Sequence, residues 1–167
     1  MKTPHPKRIL ALDVHPLSFG FAVLEGQNRL LDWGVRSFRH GVNAVKIPMS
    51  RKLALLLDEY KPEMLLVKTP TRGNSRRMKM IVKLAAEHHI PVRTRSAESI
   101  KRAFSQSSQN KHQLALAVAD HFSSLSSYMP PKRKPWKGEH YRTSIFEAAA
   151  LGLSYFVPQV ANDSATI

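Results

Sequence analysis

The sequence predicts an α/β protein with one mixed five-stranded sheet flanked by helices, in which three antiparallel strands come first and parallel strands follow. Three observations predict this class. Apolar runs with strand character open the chain, and helical periods alternate with short apolar runs after residue 48. No later segment has the apolar pattern of a second domain. The length of 167 residues and the hydrophobic fraction of 43% suit a single domain with a substantial core.

The N-terminal region predicts three strands joined by short connections. Ile9–Val14 is almost continuously apolar, as in a strand that is buried on both faces. Gly20–Glu25 is the second strand, and a Gly-Gln-Asn turn at 26–28 leads into the third, Leu30–Phe38. Connections this short favour an antiparallel meander.

Helices and strands alternate after this meander. Apolar residues at helical spacing follow Pro48, and short apolar runs without a helical period mark the strands. The predicted elements are, in order, a helix that ends at Lys61-Pro62, a strand at Met64–Val67, a basic helix at Asn74–His89, a strand at Pro91–Thr94, and short helices at Ala97–Phe104 and Asn110–Phe122.

A stretch rich in Ser, Pro and Lys interrupts the pattern at 123–142, where neither a helical nor a strand period is present. The Ala-rich apolar helix "SIFEAAALGLSYF" follows it and carries one acid, Glu147. We therefore expect one domain at 8–157 that contains this basic loop, with tails at 1–7 and 158–167.

Charge is the most informative bulk property. Twenty-six Lys and Arg face twelve Asp and Glu, which gives a net charge of +14. Such an excess attracts polyanions, of which nucleic acid is the commonest. No apolar stretch approaches the roughly 20 residues of a membrane span, and we find no strongly basic amphipathic helix with a large apolar face, so we expect no membrane partner.

The absence of cysteine excludes disulfides and thiolate metal sites. The N-terminus lacks the apolar core of a signal peptide. We expect an intracellular protein of the cytoplasm or nucleoid, with an organelle as the remaining alternative.

Asp13 raises a specific question, because it ends the first apolar strand. An isolated carboxylate is costly to bury, so proteins usually pair it with a cation, hydrogen-bond it or place it on a metal. The sequence around it helps to decide between these.

Four motifs occur in order over Arg8–Phe156: "RILALD" followed by "GFAVLE", then "KPEMLLVK", "SQNKHQLALAVADHF" and "SIFEAAALGLSYF". Together they resemble the RuvC-type Holliday-junction resolvases, which belong to the RNase H-like superfamily. The resemblance implies an RNase H-like mixed sheet. It also implies binding to branched DNA and, as in that family, a homodimer.

The family's chemistry uses carboxylates on the first strand, the fourth strand and the last helix, which bind two divalent cations for phosphodiester hydrolysis. The resemblance implies that Asp13 and Glu147 are catalytic and hold Mg²⁺ or Mn²⁺, and that Lys111 lies near the scissile phosphate. The other two acid positions fall on Lys68 and Ser144. Two of the four expected acids are therefore replaced.

Two arrangements of this site remain open. A unit charge pair at 4 Å is worth about 4 kcal/mol at an effective dielectric of 20, and roughly twice that against a divalent ion. Lys68 would therefore repel the metal and pair directly with Asp13 or Glu147, which is the arrangement we favour. Alternatively, one metal binds the two carboxylates, and His15 or Asp120 completes its shell.

Two basic segments are candidates for contact with nucleic acid. Cations at the start of a helix can hold phosphate together with backbone N–H groups, and aromatic residues in a basic loop can stack on unpaired bases. The alternatives to nucleic-acid binding are a solvated helix face for the first segment and a disordered basic linker for the second. The candidates are Arg72, Arg76, Arg77 and Lys79 at the helix start, and Lys132, Arg133, Lys134, Trp136, Lys137, Tyr141 and Arg142 in the loop.

The sequence thus predicts a nucleic-acid-binding protein of RuvC type that recognises branched or structured DNA in preference to RNA. Metal-dependent endonuclease activity is an open question because of Lys68. Two non-catalytic alternatives are an adaptor that bridges nucleic acid to a protein partner and a basic protein associated with RNA or the ribosome.

Overall fold

The computed structural model describes residues 5–38, 47–70, 75–104 and 110–157. The strands are β1 (Arg8–Val14), β2 (Ser18–Glu25), β3 (Leu30–Ser37), β4 (Met64–Lys68) and β5 (Val92–Arg95). The helices are α1 (Met49–Tyr60), α2 (Ser75–Glu87), α3 (Ala97–Ala103), α4 (Lys111–His121) and α5 (Thr143–Phe156), with a 3₁₀ helix at Ser123–Tyr128.

The strands form one sheet in the order β3-β2-β1-β4-β5. β1 pairs antiparallel with β2, and β2 with β3, whereas β1–β4 and β4–β5 are parallel. The predicted mixed sheet, with three antiparallel strands followed by parallel ones, is confirmed. β1 lies at its centre, which explains why its sequence is apolar on both faces.

Two apolar cores cover the two faces of the sheet. Ile9 and Ala11 of β1 pack with α3, α4 and α5, whereas Leu10 and Leu12 pack with α1 and α2. Alternate residues of a strand point to opposite faces. The residue that follows Leu12, Asp13, therefore belongs to the face that α5 covers.

α5 is the most deeply buried helix, and all its residues from Thr143 to Ser154 are buried. Close approach to the sheet needs glycine. A Cβ on Gly152 would lie 2.5 Å from Leu24 Cδ1, and a Cβ on Gly20 would overlap the backbone of Ser144. The second contact fixes the start of α5 directly over the end of β1, because Gly20 pairs with Asp13 across the sheet.

A few local details differ from the prediction. β2 begins at Ser18, two residues earlier than expected. The segment predicted to lack any period begins with the 3₁₀ helix, in which Leu125 is buried. One buried side chain in six residues leaves no helical period to detect. We keep the term basic loop for residues 129–142.

Some predicted features lie outside the described residues: Arg72, the start of the second predicted helix at Asn74, and most of both tails. No helix among the described residues has the length and apolar character needed to cross a membrane.

Candidate functional site

Asp13 and Lys68 meet at the carboxyl ends of two neighbouring parallel strands. Leu12 of β1 pairs with Val67 of β4, so the next residue of each strand lies at the same edge of the sheet. Leu12 and Val67 both face the core under α1 and α2. Asp13 and Lys68 therefore both point to the α5 side, where Glu147 lies on the second turn of that helix.

Lys68 bridges the two carboxylates. Its Nζ lies 2.7 Å from Glu147 Oε2 and 3.8 Å from Asp13 Oδ1. Both carboxylates are buried, with residue exposures of 3% for Asp13 and 5% for Glu147. The pairing that we favoured from the sequence is present, and Lys68 contacts both partners. We call Asp13, Lys68 and Glu147 the carboxylate cluster.

His15 is a second side chain that contacts Asp13. Its Nε2 donates to Asp13 Oδ2 at 2.7 Å, and its side chain is 38% exposed. On the other side, Ser144 Oγ donates to the Asp13 carbonyl at 3.4 Å. Asp13 is therefore held from three directions by side chains of β4, α5 and the β1–β2 connection.

The pKa values follow from these contacts. Burial alone would raise the pKa of the Asp13 carboxyl, but the hydrogen bond from His15 and the charge of Lys68 outweigh burial and lower it. The hydrogen bond to Asp13 raises the pKa of His15. Burial alone would lower the pKa of Lys68, but the carboxylates of Glu147 and Asp13 raise it. The shifts of Asp13 and Lys68 thus share one cause, which is the contact between the carboxylates and Lys68.

These residues do not fit a divalent metal centre. Hard cations such as Mg²⁺ require oxygen ligands, yet an ammonium lies in hydrogen-bond contact with one of the two available carboxylates. In the part of the chain that the structure describes, no three His, Cys, Asp or Glu side chains are grouped as a metal site would need. His15 is bound to Asp13, and Asp120 is an exposed residue of α4.

Lys111 lies at the start of α4, where its side chain is paired with a residue that the sequence analysis did not single out. Its Nζ is 2.6 Å from Glu139 Oε1, and both side chains are partly exposed, at 49% and 34%. Glu139 is the only acid within 123–142, which is the signal that could have found it. Its charge also raises the pKa of His15, after the larger effects of Asp13.

The basic loop and the start of α4 enclose a cavity of about 460 Å³. We call it the basic cavity. Lys132 and Lys137 have no carboxylate partner among the described residues, while Arg133 Nε donates to the Lys137 carbonyl at 2.9 Å and so closes a turn. The cations that line the cavity are Lys111, Lys132, Arg133, Lys134 and Lys137.

Aromatic side chains accompany these cations. Trp136 is 77% exposed and Tyr141 is 61% exposed. Lys134 Nζ lies 5.7 Å from the centre of the Trp136 ring, and the Arg142 guanidinium lies 5.7 Å from that of Tyr141. Two of the predicted loop cations, Lys134 and Arg142, therefore each lie beside an exposed aromatic ring.

The other predicted basic segment is more dispersed. Arg76 and Lys79 are exposed on the first turns of α2. Arg77 is directed elsewhere, since its guanidinium donates to the Pro16 carbonyl at 2.6 Å. That contact joins α2 to the β1–β2 connection beside His15.

No protein-family model and no curated protein matches the chain significantly. Solved structures do. Thermus thermophilus RuvC in complex with a Holliday junction substrate superposes with a TM-score of 0.62 at 17% identity, over 89% of this chain and 91% of that chain. The yeast mitochondrial Holliday junction resolvase gives 0.60 at 13% identity, over 93% and 82%. The Fowlpox virus resolvase with Holliday junction DNA gives 0.58 at 17% identity, over 89% and 97%.

The chain therefore has the RuvC-like resolvase fold of the RNase H-like class, as the motif order predicted. At these identities the likeness establishes the fold.

Proposed function

We propose that this protein binds branched DNA without cleaving it. One observation carries the proposal: in a RuvC-like fold, the Lys68 ammonium lies 2.7 Å from Glu147 and 3.8 Å from Asp13, where the carboxylates would otherwise be free for cations. The protein supplies the neutralising charge from its own chain.

Electrostatics supports the loss of metal chemistry. A divalent ion entering the cluster would be repelled by Lys68 at short range and would have to displace it from Glu147. The displaced ammonium would lose both partners in a largely buried place, which is costly.

The rest of the surface supports DNA binding. The net charge of +14 favours a polyanionic partner. The basic loop presents Lys132 and Lys137, which have no carboxylate partner among the described residues, and the exposed rings of Trp136 and Tyr141. Three of the similar folds act on Holliday junctions or were solved with them. We infer that the ligand is branched DNA held by phosphate contacts and shape, and we accordingly propose action in the cytoplasm or nucleoid.

The test compares a four-way junction with a duplex of the same arm sequence, each with Mg²⁺, with Mn²⁺ and with chelator. We expect the junction to bind more tightly than the duplex, with no cleavage and no change in affinity on chelation. Asp13→Asn runs alongside, with its thermal unfolding recorded to verify the fold.

Three results would redirect the proposal. Metal-dependent cleavage that Asp13→Asn abolishes would mean that Asp13 and Glu147 act with Mg²⁺ or Mn²⁺, with Lys111 at the phosphate. Equal affinity for junction, duplex and RNA would favour a general RNA-associated protein. A supershift of the junction complex by a protein partner, without cleavage, would identify an adaptor. A homodimer, which symmetric junction binding needs, is checked by sedimentation.

A further inference from the structure

We propose that the basic cavity holds one unpaired nucleotide of the DNA and that Glu139 occupies the place of its phosphate in the free protein. This inference rests on the proposed function and adds to it the feature of the DNA that is recognised. It also identifies Glu139 as a residue that weakens DNA binding.

The size and lining of the cavity suit a nucleotide. Small-ligand pockets measure roughly 300–1,000 Å³, and this one measures about 460 Å³. Lys111, Lys132, Lys134 and Lys137 supply ammonium groups, and Pro130 and Pro131 supply an apolar wall. Cations beside an apolar wall match a phosphate joined to a sugar and base.

A stacking surface lies on the same loop. Trp136 does not line the cavity, but it lies between Lys134 and Lys137, which do. Its ring is 77% exposed, and Lys134 Nζ lies over it at 5.7 Å from the ring centre. A base that stacks on this ring would take the opposite face or displace the lysine. A base that is paired within a duplex offers no free face to such a ring, whereas an unpaired one does.

Glu139 behaves as an internal anion in this cavity. It is the one carboxylate among the lining residues, and its Oε1 lies 2.6 Å from Lys111 Nζ. A phosphate oxygen would make the same contact at the same distance. An exposed ion pair contributes little to stability, so an incoming phosphate can displace Glu139 readily from Lys111. The Glu139 carboxylate still repels the bound phosphate, and this repulsion lowers the affinity for DNA.

The experiment measures binding of three labelled DNAs at one fixed salt concentration: a duplex, a fully paired four-way junction, and the same junction with one unpaired thymidine at the branch. We expect the wild-type protein to bind the third about tenfold more tightly than the second, as one stacked base provides. Trp136→Ala removes that preference. Quenching of tryptophan fluorescence by the third DNA, absent in Trp136→Phe, reports the stacking.

Variants of the ion pair test the role of Glu139. Glu139→Gln raises affinity for the third DNA about tenfold, and Lys111→Met lowers it by a similar factor, since each changes one charge-assisted contact with phosphate. Glu87→Gln and Lys83→Met make the same charge changes at exposed positions of α2 and serve as matched controls.

Equal affinity for the two junctions, or weaker binding by Glu139→Gln, overturns the inference. Wild-type binding that fails to distinguish the paired junction from the duplex overturns the proposed function instead. The comparison of the two junctions tests the inference, and the comparison of the paired junction with the duplex tests the proposed function.

Discussion

The carboxylate cluster and the basic cavity lie close together, and their charges are balanced in opposite ways. In the cluster, two buried carboxylates are matched by Lys68 and His15, and the groups are closed in by α5. In the cavity, five cations share one carboxylate, Glu139. Among the described residues, the charges of the first region are matched within the chain, whereas the second region has a surplus of positive charge that suits an anionic ligand.

The two regions should therefore respond differently to substitution. Removing one partner of a buried ion pair leaves the other charge unmatched, which is costly, whereas surplus positive charge attracts an anionic ligand. Substitutions in the cluster should therefore change stability. Substitutions in the cavity should change binding and its dependence on salt.

Replacing Lys68 with Met should give the largest effect. It leaves Glu147 and Asp13 buried without their shared cation, and removing one partner of a buried ion pair costs about 3–5 kcal/mol. Urea unfolding measures the loss. Lys68→Met combined with Glu147→Met should recover much of it, and Lys83→Met should leave the midpoint unchanged. A wild-type free energy of unfolding in Lys68→Met alone would mean that the bridge contributes nothing to stability.

The same substitution at two glycines contrasts the two regions directly. Gly20→Ala places a methyl group against the Ser144 backbone, which cannot yield easily, and should destabilise by about 1–3 kcal/mol. A Cβ on Gly138 in the basic loop would have no neighbouring atom within 4 Å, so Gly138→Ala should change the melting temperature little. Comparable losses at both positions would contradict the tight contact between α5 and β2.

Lys132→Ala should weaken junction binding several-fold with no change in stability. If Lys132 contacts a phosphate, the slope of log affinity against log salt concentration should fall by about 1. A titration of labelled junction at four salt concentrations measures it. An unchanged slope would remove Lys132 from the binding surface.

The smallest effect should come from pH. The pKa of His15 is raised from its ordinary value of 6.5 by the bond to Asp13. A raised pKa means that the stabilisation is fully present below pH 6.5 and is lost as the pH rises through the folded-state pKa. Thermal unfolding from pH 5.5 to 8.5 should show this decline in the wild type. His15→Gln should flatten the profile over that window.

Much of the fold could be predicted from the sequence because its signals are local. The apolar run of β1 and the helical periods of α1 and α2 identify their elements without tertiary information. The direction of Lys68 could not be predicted, since a single bulge in β4 would turn it to the other face. The pairing of β1 with β4 is continuous from Ile9–Met64 to Leu12–Val67, so no bulge turns Lys68 away from the α5 side.

The pair between Lys111 and Glu139 could not be predicted for a different reason. The two residues are 28 positions apart, and one of them lies in a loop whose conformation follows no period. Only the chain geometry between the 3₁₀ helix and α5 brings them together. The interacting partner of Lys111 is therefore a property of the tertiary fold.

The Lys68 bridge also restricts which residues are tolerated at position 68. A single-base change turns a lysine codon into a glutamate codon, so Lys68→Glu is one mutational step away. It would also gather three carboxylates at the end of β1 and β4 with His15 as the nearest cation. Like charges gathered in a buried place repel one another and raise the pKa of at least one of the carboxyl groups. Lys68→Glu is therefore easy to reach by mutation but destabilising, which favours retention of the lysine.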